Sequence, residues 1–199
     1  MTEKNPVVPG GGPVPPSTVP PPMGPPPSIA EAEAHLRNDM QQLAVLKARR
    51  ESANEIVTRK MWWSALWGVL PVPVLDFGAC TAVQIMMIND LARHYALLGD
   101  GIVLDRETVR KWIFSLSGAA IPTYLKAVPV LGFTAGILTG PLFYGASTYA
   151  IGKVFIEHFE TGGTLLTFDA DKMRAYFLHY YEEGKAKLRA RATVTATTP

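Results

Sequence analysis

The sequence contains little of what most enzymes and secreted proteins depend on. It has a single cysteine, Cys80, among 199 residues, which excludes an internal disulfide framework and any metal cluster built from cysteines. Its net charge is only +2, from 19 Lys and Arg against 17 Asp and Glu, so we expect no nucleic-acid partner. Charge is also scarce locally, because the 29 residues 61–89 carry only Asp76.

Catalytic and ligand-binding motifs are missing as well. The sequence has no G-x-x-x-x-G-K-[ST] loop for nucleotide phosphates and no G-x-S-x-G motif around a serine. Its four histidines are scattered along the chain, so no converging set of metal ligands is expected. We therefore predict that the chain is not an enzyme and that it binds no cofactor and no metal.

The first segment of the chain is rich in proline. Residues 1–27 contain 11 of the 17 prolines and only two charges. Proline removes backbone donors, and the few apolar side chains here cannot bury enough surface to offset the entropy of ordering. We predict a disordered head that acts as a spacer. It has no apolar run behind a basic start and so does not resemble a secretory signal peptide.

An amphipathic helix is predicted next, over residues 28–60. Ser28 and Glu31 have the spacing of a capping box directly after three prolines. The helix carries one apolar stripe that needs a partner, formed by Leu36, Met40, Leu43, Leu46 and Ile56. Its last third is basic, which is typical either of a solvated helix face or of an anchor to anionic lipid.

Tryptophans directly follow basic residues at the start of the nearly uncharged segment 61–89. We predict that five residues lie at a membrane interface: Trp62, Trp63, Trp67, Arg59 and Lys60. The apolar segment is long enough to span a bilayer, but Pro71 and Pro73 interrupt it. We therefore expect two helices, 61–70 and 74–95, arranged either as a span or as a re-entrant hairpin.

Asp76 is the one carboxylate in this apolar segment. A charged group in hydrocarbon is costly, so Asp76 indicates either an ion or proton relay or, more simply, a cap for the helix after Pro73. Cys80 and Gln84 follow it at helical spacing and extend a narrow polar stripe. We single out Asp76 and Gln84 as buried polar or capping residues.

A second apolar block, residues 127–152, contains three glycines in register, Gly132, Gly136 and Gly140. Glycines four residues apart line one helix face and allow another helix backbone to approach closely. We predict that they mediate helix packing, either within one chain or in a homo-oligomer. A pore is the alternative that such a series also supports. Pro141 is expected to kink or divide the helix.

The C-terminal part is again amphipathic. Residues 90–111 are charged and predict a solvated connection, and 61–168 together form the predicted membrane-embedded domain. Asp169 is placed to cap an amphipathic helix that we assign to 169–191. Residues 192–199 are predicted to be a disordered tail.

Two stretches resemble a known bacterial family. The residues 64–76 (SALWGVLPVPVLD), followed by Gln84 and Met87, are similar to the start of the bacterial domain of unknown function number 697, typified by the YcjF-like inner-membrane proteins. The run 145–166 resembles its second signature. The resemblance implies a membrane-associated helical domain that is often encoded beside or fused to a small GTPase. Where fused members have the GTPase, this chain has the Pro-rich head and a short helix, so the resemblance implies that any GTPase acts in trans.

These observations predict an all-α protein: a membrane-embedded bundle of broken apolar helices, flanked by amphipathic helices and preceded by a Pro-rich head. We expect a non-enzymatic adaptor or scaffold in the bacterial inner membrane, with both termini cytoplasmic. Its expected partners are membrane lipid and a separately encoded GTPase or other cytoplasmic protein. Two alternatives remain open, namely a glycine-zipper pore that permeabilises membranes and a soluble helical interaction domain.

Overall fold

The computed structural model describes residues 28–68, 73–98, 104–118 and 120–197, without the side chains of 73–77, 121–139 and 192–197. The predicted disordered head, 1–27, lies outside the described residues. The described part contains five α-helices, one short 3-10 helix and no strand, which confirms the all-α prediction. The α-helices are α1 (Ile29–Trp67), α2 (Pro73–His94), α3 (Arg106–Gly118), α4 (Ile121–Glu160) and α5 (Ala170–Thr197).

The helix ends follow local capping signals. At the start of α1 the Glu31 amide donates to Ser28 Oγ at 3.3 Å, and the Ser28 amide donates to Glu31 Oε2 at 2.8 Å. Asp105 and Asp169 accept backbone N–H groups at the starts of α3 and α5. Such caps satisfy amides that the first helical turn leaves without partners. The capping predictions for Ser28 and Asp169 are therefore confirmed.

The chain divides into two units, residues 1–42 and 43–199. The described part of the first unit is the beginning of α1, in which every residue from 28 to 42 is exposed. Its stripe residues Leu36 and Met40 are 61% and 63% exposed. The predicted stripe is thus amphipathic in sequence, but its side chains in this unit lie at the surface.

The second unit contains the hydrophobic core. Along the second part of α1, Ala53, Val57, Met61 and Ala65 recur every four residues and are at most 7% exposed. This spacing places them on one helix face. The core is completed by side chains of α2 to α5, among them Met87, Leu91, Leu116, Phe155 and Phe177.

Small residues let α1 and α4 pack closely in antiparallel directions. A Cβ atom on Gly152 would lie 2.5 Å from Val57 Cγ2, and one on Gly145 would lie 3.0 Å from Ala65 Cβ. Further along, a Cβ atom on Gly140 would lie only 2.5 Å from the backbone oxygen of Gly68. Because the Gly140–Gly68 contact is between two backbones, neither helix can relieve it by a side-chain rotation.

Helix α4 is longer than the sequence predicts. It continues through Pro141 as a single helix of 40 residues, so Pro141 does not divide it, whereas a kink there stays a prediction. Proline inside a helix costs roughly 3 kcal/mol because it removes a hydrogen bond and crowds the preceding turn. The residues after Pro141 are buried among the other helices, and their burial offsets that cost.

The ends of α1, α2 and α5 differ from the predicted bounds. Helix α1 runs on past Lys60 to Trp67, and α2 begins at Pro73, so the expected break falls at residues 69–72, which lie outside the described part. Helix α5 continues to Thr197 and includes residues 192–197, where a disordered tail is predicted. That segment contains no glycine or proline to stop the helix before Pro199.

No helix in the described part of the chain is both long enough and apolar enough to cross a membrane.

Candidate functional site

One end of the bundle carries a network of ionised and hydrogen-bonding side chains. Arg50 on α1 forms ion pairs with Glu157 and with Glu160 of α4, the second at 3.2 Å. The Tyr180 hydroxyl on α5 donates to Glu157 Oε1 at 2.8 Å, and the Tyr95 hydroxyl after α2 donates to Glu160 Oε1 at 2.9 Å. This Arg50 network, made of these five residues, ties α1, α4, α5 and the end of α2 together.

Both tyrosines of the network hold their protons strongly. Burial, followed by the hydrogen bond to Glu157, raises the pKa of Tyr180 to about 12. Burial and the hydrogen bond to Glu160 also raise the pKa of Tyr95. A tyrosine that donates to a carboxylate resists ionisation because the product would be two adjacent negative charges. The tyrosines therefore act as neutral donors, and neither is a general base near neutral pH.

Lys153 lies one turn of α4 closer to the middle of the bundle. Lys153 is 9% exposed, and its Nζ donates a hydrogen bond to Asn54 Oδ1 at 2.9 Å. The same Nζ lies 5.3 Å from the centre of the Tyr180 ring. Burial is the main cause that lowers the pKa of Lys153, and the charge of Arg50 lowers it further. The lysine links α1 to α4 at the edge of the core.

A surface groove of about 600 Å³ opens beside the Arg50 network. Its apolar lining includes Leu43 and Leu46, which are 65% and 58% exposed, together with Phe159. Its charged lining includes Lys47 and Arg49, and the Arg49 guanidinium lies 4.5 Å from the centre of the Tyr95 ring. Glu160 also lines the groove, so its apolar floor is bordered by charges of both signs. We call this surface the partner groove.

A buried polar cluster lies in the middle of the bundle. Thr148 Oγ1 on α4 donates to Ser64 Oγ on α1 at 2.8 Å and accepts from Gln84 Nε2 on α2 at 3.1 Å. The Cys80 sulfur is 3.8 Å from the same Thr148 oxygen. All four residues are at most 3% exposed. The polar stripe predicted from Cys80 to Gln84 thus meets partners from two other helices.

The environment of Cys80 opposes nucleophilic chemistry. Burial raises the pKa of its thiol to about 11, which keeps the sulfur protonated near neutral pH. A reactive cysteine requires a thiolate and access to solvent, and Cys80 has neither. In the described ranges no three His, Cys, Asp or Glu side chains are grouped to hold a metal ion.

The opposite end of the bundle carries three of the four tryptophans. Trp63, Leu66 and Trp67 are 55%, 62% and 40% exposed. Trp62 is half-buried, and the guanidinium of Arg191 from α5 lies 4.5 Å from its ring centre. We call Arg59, Trp62, Trp63, Leu66 and Arg191, which line one shallow groove, the tryptophan patch.

The predicted interface residues do not all share this surface. Arg59 is exposed and lines the patch, whereas Lys60 pairs with Asp90 of α2 at 3.0 Å. Lys60 therefore faces α2. Arg191, which was not predicted from the sequence, lines the groove together with Arg59. The two arginines are 132 positions apart in the sequence, so no local pattern could have joined them.

The other predicted residues are placed unevenly. Gly140 is buried against Gly68, whereas Gly132 and Gly136 belong to α4 but their surroundings lie outside the described side chains. Asp76 is the fourth residue of α2, and its side chain also lies outside them. The capping and relay interpretations of Asp76 both remain predictions.

The comparisons with known proteins agree with these features at a coarse level. The chain is 34% identical over 140 residues to magnetosome membrane protein 22 of Magnetospirillum gryphiswaldense, a match that covers 64% of this chain and 69% of the relative. No solved structure is significantly similar to the present chain. Residues 33–183 match the profile of a family described as "Domain of unknown function (DUF697)".

The matched range begins inside α1 and ends inside α5. It includes the Arg50 network, the partner groove, the polar cluster and every residue of the tryptophan patch except Arg191. The helix that the sequence analysis treats as a separate flank, 28–60, is therefore largely part of the family domain. The chain belongs to the DUF697 family.

Proposed function

We propose that this chain is a non-enzymatic, membrane-associated adaptor. In this proposal the tryptophan patch faces the membrane, and the partner groove at the other end presents α1 to a cytoplasmic protein. A separately encoded GTPase is our candidate for that protein, because the family resemblance associates such domains with small GTPases.

The observation that carries the proposal is the polarity of the antiparallel α1–α4 pair. Ion pairs of both helices meet around Arg50, beside the exposed leucines of the partner groove. The exposed tryptophan rings begin at Trp63, 13 residues further along α1. At 1.5 Å per residue this separates the two ends by about 20 Å. A bundle with an ion-pair network at one end and exposed tryptophan rings at the other suits a protein between a membrane and the aqueous phase.

Two further observations support the membrane part. The relative is named as a magnetosome membrane protein. In addition, the Gly68–Gly140 contact places the end of α1 beside the uncharged block 127–152 of α4. That contact also gives Gly140 a packing partner in its own chain, which favours an adaptor over a pore assembled through this glycine.

The partner groove gives the most direct test. A photo-crosslinking amino acid replaces Leu46 in the groove, or Tyr176, which is 54% exposed on α5, as the matched control. Membranes from cells expressing each variant are irradiated with a non-hydrolysable GTP analogue or with GDP. We expect position 46, but not position 176, to yield an adduct with a nucleotide-binding protein, and its yield to depend on the nucleotide.

Identical adducts at both positions, or none at position 46 with either nucleotide, would contradict the GTPase part of the proposal. Membrane association is measured separately, by carbonate washing and flotation of the full chain with liposomes. Recovery in the soluble fraction would favour the soluble interaction domain instead. Leakage of dye from liposomes at low protein loading would favour the pore.

A further inference from the structure

We propose that the tryptophan patch binds the headgroups of anionic phospholipids, with Arg59 from α1 and Arg191 from α5 as its two cationic ligands. The inference rests on the proposed membrane association. It adds the class of lipid and assigns a role to α5, whose Arg191 lies outside the family-matched residues.

The patch combines two kinds of side chain that lipid headgroups favour. Trp62 and Trp63 place large amphipathic rings beside exposed Leu66, in a groove of about 340 Å³ that both arginines line. Tryptophan is enriched at the depth of the headgroups because one end of its ring is apolar and the other donates a hydrogen bond. A leucine that is 62% exposed gains further free energy on leaving water.

The stack of Arg191 on Trp62 orients the guanidinium. Its carbon lies 4.5 Å from the centre of the ring, within the range of a cation–π contact. A guanidinium that stacks by its flat face keeps the positive charge that attracts an anionic headgroup. Arg59 lines the same groove, so both cations border it.

The exposed apolar side chains of the patch favour a bilayer over an acidic protein. Each basic side chain near an anionic membrane surface strengthens binding up to about fivefold. An acidic partner would need only the arginines and would leave Trp63 and Leu66 in water. The apolar neighbours of the patch point the same way, because the residues around Gly68 and Gly140 carry no charge.

The test measures lipid preference by quenching of tryptophan fluorescence. Full-length protein carrying Trp112→Phe, which removes the one tryptophan packed in the core against Phe155 and Phe168, is reconstituted with vesicles containing about one-third phosphatidylglycerol. Bromine is attached to the chains of either the phosphatidylglycerol or the phosphatidylcholine. The ratio of the two quenching efficiencies reports which lipid lies beside the patch. It does not depend on how other parts of the chain associate with the membrane.

We expect brominated phosphatidylglycerol to quench several-fold more effectively in the parent protein. Arg59→Gln and Arg191→Gln should each reduce this preference by up to about fivefold, and Arg191→Lys should retain most of it. Arg174→Gln is the matched control, since Arg174 is also exposed on α5 and lies, with its partner Asp171, 17 residues along the helix from Arg191. It should leave the preference unchanged. Circular dichroism verifies that each variant is folded.

Other outcomes separate this inference from the proposed function. If the chain floats with liposomes but both lipids quench equally, or if the arginine variants keep the preference, the inference is wrong and membrane association stands. If the chain floats and neither lipid quenches, the patch faces a protein and the inference is again wrong. If the chain does not float at all, both the inference and the membrane part of the proposed function fail.

Discussion

The contact between Gly140 and Gly68 makes a quantitative prediction about stability. In Gly140→Ala the new Cβ atom would lie 2.5 Å from the Gly68 carbonyl oxygen, whereas a carbon and an oxygen in contact are ordinarily at least about 3.3 Å apart. The α1 and α4 backbones must therefore separate locally by about 0.8 Å. A gap of this size forfeits a quarter to a half of the dispersion energy of the adjoining contacts.

The expected cost follows from two opposing effects. Overpacking of a core costs about 1–3 kcal/mol, and a clash with backbone belongs in the upper part of that range. Alanine also favours the helix over glycine by about 1 kcal/mol. We therefore expect Gly140→Ala to lower the free energy of unfolding by about 1–2 kcal/mol. Gly78→Ala is the control, because among the described residues no atom outside its own stretch of helix lies within 4 Å of its Cβ position on α2. It should raise that free energy by about 0.5–1 kcal/mol.

Urea unfolding followed by circular dichroism, in one mild detergent for all variants, measures both effects. The two variants should differ by about 2 kcal/mol. A Gly140→Ala protein as stable as Gly78→Ala would refute the close backbone contact. Gly132→Ala and Gly136→Ala extend the assay to the predicted glycine series. If the three glycines pack as one face, both variants should lower the free energy of unfolding as much as Gly140→Ala does. If they do not, both should behave like Gly78→Ala.

Three further predictions concern the second unit. Gly162→Ala should lower the free energy of unfolding by about 1–2 kcal/mol, because φ is +82° there, and urea unfolding measures it. Lys153→Met should change that free energy by less than about 1 kcal/mol at pH 7. It should also abolish the rise in stability that a lowered lysine pKa causes in the wild type as pH increases toward about 10.4. The pKa of Tyr180 is raised to about 12, so its contribution to the free energy of unfolding is present below about pH 10 and is lost as the pH rises toward 12. The urea midpoint of Tyr180→Phe should therefore fall less at alkaline pH than that of the wild type.

The features that the sequence predicts well are those that neighbouring residues determine. The capping residues Ser28, Glu31 and Asp169 act within three residues of their partners, and Pro73 marks the start of α2. These groups satisfy or remove backbone donors at helix ends, so the signal and its effect lie in the same turn. The all-α fold and the family also follow from patterns of this kind.

The features that the sequence does not predict depend on which helix faces meet. Arg50 stands in a basic run, and Glu157 and Glu160 share a face at a spacing of three, but 107 residues separate Arg50 from Glu157. Many pairings of basic and acidic faces would satisfy charge equally well. Gly68 was missed for the same reason, since its role exists only once Gly140 lies against it. At Pro141 the local signal favours a break that does not occur, because burial of the following residues outweighs the local cost of proline in a helix.

The register of α1 on α4 is determined by contacts of three different kinds, and they reinforce one another. Gly68 and Gly140 allow the backbones to touch, Ser64 shares a buried hydrogen bond with Thr148, and Asn54 accepts one from Lys153. A slip by one helical turn, about 5.4 Å, would place side chains against the glycines and leave buried hydroxyl groups without partners. Each unpartnered polar group would cost about 1–3 kcal/mol. Alternative registers are therefore excluded together, so α4 keeps its part of the Arg50 network about 20 Å along α1 from Trp63. In the proposed adaptor, a protein bound at the partner groove would then be held at a set distance from the membrane that the tryptophan patch faces.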